Sequence, residues 1–222
     1  MQLIKKIFTT HFISYRTLFR ILALLLMVYI GYHFIPQTSH RGSLTMYLRS
    51  MEKGNSKSAI YWAKYVIYHA PKDDASYTDL ANAYELDGQY EKAMESYADA
   101  QNHAKPFGYH DPRYEFPNIP RVEYKLNRKK EAFLGYCQHV SQDSKRYFEP
   151  YKKELWNERR RALSTIRNQI IWQKSHFATH LSPFLEYHDF LDFMEEEYAK
   201  LGKPPEYAVA MELFRAIDKE NR

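Results

Sequence analysis

The chain has 222 residues and a mass of 26.6 kDa, with 45% hydrophobic, 27% charged and 16% aromatic residues, one cysteine and a formal charge of +5. Its 20 Tyr and 13 Phe exclude a disordered chain, and its 7 Gly and 10 Pro exclude a collagen-like or linker-type one. The lone Cys137 excludes an intrachain disulfide or a cysteine-based zinc site, and no Gly-rich loop is present to cradle a phosphate or dinucleotide.

The positive charge is unevenly placed. Residues 1–40 carry Lys5, Lys6, Arg16 and Arg20 and no acid. Residues 41–120 hold 9 basic and 11 acidic side chains, residues 121–181 hold 14 and 6, and residues 182–222 hold 5 and 10. The basic pI near 9.0 therefore reports a leader and one basic stretch rather than a uniformly cationic surface.

In chain order, the first expected element is Leu18 to Ile35, LFRILALLLMVYIGYHFI, which has one charge near its start and is bounded by Pro36. Eighteen residues at 1.5 Å each reach about 27 Å, close to the roughly 30 Å of a bilayer's hydrocarbon core. Arg20 can snorkel, and Tyr29, Tyr32, His33 and Phe34 suit an interface. A cleaved signal fits poorly, because no small-x-small site follows. A mitochondrial presequence is suggested by the acid-free residues 1–20, and a buried core helix is the plain alternative. The expectation is a single-pass anchor within a first region, residues 1–37, contacting lipid through Leu18 to Ile35. Four basic residues before the segment against two after it (Arg41 and Arg49) place the N-terminus in the cytoplasm or matrix and the remainder across a bacterial or mitochondrial inner membrane.

A second region, residues 38–143, shows a 34-residue period: Gly54 aligns with Gly88, Ala59 with Ala93, and Pro71 with the neighbourhood of Pro106. The unit from about Asp74 carries Tyr77, Leu80, Ala81 and Tyr84, then Gly88, then Ala93, Tyr97 and Ala100. In these positions the chain resembles the tetratricopeptide repeat family. The first unit, 40–73, is weaker, with Ser43 and Ser50 at positions where large aromatics are expected. A third, around 113–143, has Asn127 and Ala132 at the family spacing but is displaced by five residues, and Pro117 and Pro120 should break or shift its first helix.

The last region, 144–222, reads as a helical extension: a long pattern over 145–178, then helices over 182–200 and 205–219 separated by the LGKPP breaker. With no alternating strand pattern, the fold class is all-α: a transmembrane helix, a short helical solenoid and a C-terminal helical extension.

The family resemblance implies a partner-binding inner face lined by first-helix residues. Here these are Leu44, Leu48 and Met51 of the first unit and Ala75, Thr78, Asn82 and Glu85 of the second. Asn82 stands where many members hold a peptide backbone, while Thr78 stands where a carboxylate clamp needs a lysine. The implied function is a scaffold, an accessory or assembly subunit of a membrane complex that binds other subunits or a client polypeptide. The alternative is a permanently packed structural subunit.

Other candidates are weaker. His176 and His180, four apart, could seat a metal with Glu186, His188 and Asp189 nearby, but no HExxH glutamate accompanies them and no metal or other cofactor is expected. Arg128, Lys129, Lys130 and Arg159 to Arg161 could touch anionic lipid, nucleic acid or an acidic partner. Because Glu131, Glu154 and Glu158 are interspersed, nucleic acid is not expected. The run Glu195 to Glu197 could pair with these bases. No nucleophile with a positioned base is found, so no enzyme is expected and Cys137 reads as a small core residue.

Overall fold

Three left-handed residues set the architecture: Gly54 (φ 65°), Gly88 (φ 74°) and Asn127 (φ 60°). Each closes a helix with the same pair of backbone bonds, the two that satisfy the last orphan carbonyls of a helix. Gly54 N–H donates to Met51 O at 3.0 Å and Asn55 N–H to Ser50 O at 2.9 Å; Gly88 and Gln89 donate to Glu85 and Tyr84 at 3.0 and 2.9 Å; Asn127 and Arg128 donate to Tyr124 and Glu123 at 3.0 and 2.9 Å. Five residues beyond each turn stands an alanine, Ala59, Ala93 or Ala132, all 0% exposed, where the returning helix comes close to its partner.

The computed structural model describes residues 15–34, 39–104, 118–147, 156–172 and 177–219. Among them are eleven α-helices and no strand. Helix α1 is Tyr15–Phe34. Three helical hairpins follow: α2 (His40–Glu52) with α3 (Ser56–His69), α4 (Asp74–Leu86) with α5 (Tyr90–Ala104), and α6 (Asn118–Lys125) with α7 (Lys129–Tyr147). Then come α8 (Trp156–Ile171), α9 (Ala178–Leu181), α10 (Tyr187–Lys200) and, after a 3-10 turn at Pro205–Tyr207, α11 (Ala208–Lys219).

Capping explains several starts. The Ser39 side chain accepts from Gly42 N–H at 3.1 Å and Asn55 Oδ1 accepts from Ser58 N–H at 3.1 Å, supplying partners for first-turn donors that a helix cannot satisfy itself. In the third hairpin Pro120 does not abolish the first helix: the described residues Asn118–Lys125 are helical with Pro120 buried among them. Pro117 lies outside the described residues.

The hairpins stack in chain order, α3 on α4 and α5 on α6. Their cores are small. Tyr47, Met51, Ala59, Trp62 and Ala63 fill the first, with Tyr47 supplying bulk that the buried Ser43 and Ser50 lack. Ala81, Ala93, Tyr97 and Val122 form the second. The largest core is C-terminal. There α7 contributes Phe133, Tyr136, Cys137 and Val140, and α8, α10 and α11 contribute Leu163, Ile166, Ile170, Phe190, Met194, Met211, Phe214 and Ile217. Burial of each large side chain of this kind stabilises the fold by roughly 1.5–3 kcal/mol. Helix α7 is therefore both the second arm of the third hairpin and a wall of the extension, and the boundary expected at 143/144 falls inside it.

Within the long helical pattern over 145–178 the described residues show one break: α8 stops at Ile171 because Trp172 turns left-handed (φ 49°). The two final helices fall within the expected stretches, but α10 starts at Tyr187, five residues after the expected 182, and α11 at Ala208, after the 3-10 turn at Pro205–Tyr207.

Helix α1 presents apolar side chains to every side: Leu22, Leu24, Leu25, Leu26, Met27 and Val28 are each more than half exposed. Its described side chains run from Phe19 to Gly31, with Thr17 beside them, a length of about 20 Å at the helical rise. Among the described residues no helix is long and apolar enough to cross a membrane. Ile35, the end of the expected span, lies outside the described residues.

Candidate interaction face

The inner-face candidates all lie on first helices of hairpins, Leu44, Leu48 and Met51 on α2 and Ala75, Thr78, Asn82 and Glu85 on α4. Their exposures differ sharply. Leu48 is 39% exposed, Leu44 and Thr78 are half-buried, and Met51, Asn82 and Glu85 are buried.

Glu85 and Asn82 belong to a closed polar network. Arg121, from the first helix of the third hairpin, places Nε 2.8 Å from Glu85 Oε1 and Nη2 2.8 Å from Oε2. Both side chains are 0% exposed. The Tyr97 hydroxyl donates to Asn82 Oδ1 at 2.6 Å, lies 3.2 Å from Glu85 Oε2 and accepts from Arg121 Nη2 at 3.3 Å. Lys125 Nζ stands 3.3 Å from Glu85 Oε1 at the margin. Burial disfavours the Arg121 cation, but the Glu85 carboxylate, together with the Tyr97 and Tyr136 phenols, pushes the guanidinium pKa up overall. Burial, reinforced by Glu85, holds the Tyr97 phenol well above its usual range, so it remains a donor. Burial also pulls the Lys125 ammonium down against the pull of Glu85.

Beside this network, burial raises the Asp79 carboxyl to about 7, with the Tyr47 phenol lowering it and Asp73 adding to the rise. Thr78 donates its hydroxyl to the Asp74 carbonyl at 3.3 Å, a local helix contact.

What covers the face is the chain's own C-terminal part. Beyond the left-handed Trp172, the short helix α9 returns to pack on α4. Leu181 is 0% exposed and joins the cluster of Tyr47, Met51 and Ala83, with Leu44, Leu80, Trp172 and Phe177 packed against it. The Trp172 ring lies under the Arg121 guanidinium at 4.7 Å. An aromatic, a guanidinium and an aliphatic anchor thus pack against the first-helix residues of the two hairpins. Sequence reasoning missed Arg121, Trp172 and Leu181; the only hint was a charged residue, Arg121, on the buried side of an amphipathic helix.

The remaining candidates are placed as follows. His180 sits on the four-residue helix α9, and His176, its expected partner, lies outside the described residues. His188 pairs with Asp192 at 3.4 Å on an exposed turn. Among the described residues no group of three or more His, Cys, Asp or Glu side chains is arranged to hold a metal ion. Arg128, Lys130, Arg160 and Arg161 are exposed. Within the acidic run, Glu195 binds Arg215 through two contacts of 2.6 and 2.9 Å, and Glu196 and Glu197 reach Lys200 at 2.6 and 2.8 Å. Cys137 is buried, and that burial pushes its thiol up to about 12.

Compared with models of known protein families and with characterised proteins, the chain matches none.

Proposed function

We propose that this chain is a membrane-anchored protein of tetratricopeptide type that acts as an accessory subunit of a multiprotein membrane complex. The observation that carries the reading is the occupied inner face. Glu85 and Tyr97 are engaged by Arg121 and Asn82 by Tyr97, and Leu181 and Trp172 pack with Leu44, Met51 and Leu80, leaving Leu48 exposed, so the stack has a fixed form and meets partners on its outer surfaces. This favours the permanently packed subunit over a carrier of exchanging clients in the groove.

Anchoring is supported by α1. A helix that is apolar on every side needs an apolar surround, and the exposed Leu22 to Val28 stretch has none within the chain's own described core. The basic residues flanking it favour an N-terminus on the cytoplasmic or matrix side. Tethering to a bilayer raises the local concentration of any partner embedded there.

Gentle detergent extraction of tagged full-length chain tests this. The expected result is co-purification of other polypeptides at fixed stoichiometry, and resistance of the chain to alkaline carbonate stripping. Recovery of the chain alone, or complete release by carbonate, overturns it.

A further inference from the structure

Helix α3 has no acidic residue. Its buried face is Ala59, Trp62, Ala63 and Val66. Its opposite face carries Lys57, Tyr61, Lys64 and Tyr68 at intervals of four, three and four residues, one continuous stripe along a helix, and all four are exposed. Tyr68 is 76% and Tyr61 44% exposed. The Tyr61 ring is held against Trp62 (5.2 Å between centroids) and Tyr65 (5.0 Å), so the stripe is a built aromatic surface rather than scattered side chains. Leu48, 39% exposed, and the exposed Arg41 and Arg49 belong to the other helix of the same hairpin.

The charge of this hairpin is opposite to that of the next. Residues 39–70 hold Arg41, Arg49, Lys53, Lys57 and Lys64 against the single acid Glu52, whereas residues 71–104 hold two lysines against eight acids. The basic, tyrosine-rich hairpin is also the one joined to α1: only five residues separate Phe34 from His40, a span of at most about 20 Å.

We infer that the outer face of α3 rests on an anionic lipid surface, the leaflet from which α1 emerges. The inference rests on the anchoring proposed above. Tyrosine matches the boundary between headgroups and acyl chains because its ring is apolar and its hydroxyl is wet, and lysine can extend its ammonium to lipid phosphates while its stem lies along the aromatic surface. The acidic second hairpin is repelled by the same lipid, so the contact also orients the stack, first hairpin down.

The test uses full-length chain in nanodiscs of phosphatidylcholine alone or mixed with phosphatidylglycerol, with lysine acylation read by mass spectrometry. Lys57 and Lys64 should react about fivefold more slowly in the anionic discs, with the exposed Lys203 unchanged as internal control. A Tyr61→Ala/Tyr68→Ala variant, altered only on the exposed face, should lose that protection. Equal labelling of Lys57 and Lys64 in both discs overturns the inference. Protection seen only when another protein co-purifies also overturns it and marks the stripe as a protein contact. Alkaline carbonate treatment of the same discs separates the two readings. A chain that stays in the disc with unprotected lysines leaves the anchor intact and removes the lipid contact, and a stripped chain removes the anchor.

Discussion

Glu85 and Arg121, 36 residues apart in sequence, meet in a fully buried two-pronged ion pair that locks the second hairpin to the third. Two charges taken out of water are costly, and this pair is tolerated because Tyr97 and Lys125 share the carboxylate and the Trp172 ring shields the guanidinium. Breaking it should be far worse than replacing it. Glu85→Ala leaves a buried cation and is expected to cost about 3–5 kcal/mol in chemical denaturation, while the double change Glu85→Leu with Arg121→Met should recover most of that loss. Equal destabilisation by the single and double variants would contradict this.

Gly135 marks a close approach of α7 to Pro120 in the third hairpin. A Cβ there would lie 2.7 Å from Pro120 Cγ, an atom of a rigid ring that cannot swing away. Gly135→Ala should therefore cost about 1–3 kcal/mol by overpacking. Gly88→Ala meets no atom within 4 Å but forces alanine to a φ of +74°, and should cost about 1–2 kcal/mol through the backbone alone. Thermal melts of the two variants, and of each with Pro120→Ala, separate the causes, because only the Gly135 penalty should shrink.

Ala93→Trp should disrupt the middle of the stack, since Ala93 is 0% exposed where α5 packs on α4. A cost of about 1–3 kcal/mol or more is expected, and an unchanged melting temperature would count against the helix pairing.

The half-buried Asp79 and the buried His139 give opposite pH dependences. The Asp79 carboxyl is raised from 3.8 to about 7, so its folded form holds the proton more tightly, and its contribution is present below about 4 and lost as pH rises through about 7. His139 is lowered by burial from 6.5 to about 4, so its contribution is present above 6.5 and lost as pH falls toward 4. Wild-type stability between those limits is a partial cancellation. Asp79→Asn should leave a stability that rises with pH across the window, and His139→Gln one that falls; denaturation midpoints from pH 4 to 8 check both.

How far the sequence carried the fold depends on the range of the forces involved. The turns at Gly54, Gly88 and Asn127 and the alanines that follow were legible, because backbone handedness and close helix approach act within a few residues. The third hairpin was undervalued because Pro120 reads as a breaker, whereas α6 forms with Pro120 buried inside it. The inner face was misjudged for a different reason. Glu85 on an isolated helix looks solvated, and its burial comes from Arg121 and, through Trp172, from residues far along the chain. Nothing in the local pattern around Leu181 announces that it docks on α2 and α4. Cys137, in turn, is buried with its thiol raised to about 12, so topology is better probed by an added cysteine at the exposed Gln138. Gln138→Cys should label only from the side opposite the N-terminus.

Leu181 and Trp172, from the C-terminal part of the chain, close the apolar cluster of α2 and α4. Photo-crosslinking tests this closure most directly, with benzoylphenylalanine placed at Leu44 and, separately, at Leu80, both packed against the cluster that contains Leu181. Illumination of the full-length chain in its native membrane should yield an intramolecular crosslink to the segment 177–184 from both positions. Crosslinks from both positions to a second polypeptide, without the internal product, would show an open groove and contradict the account.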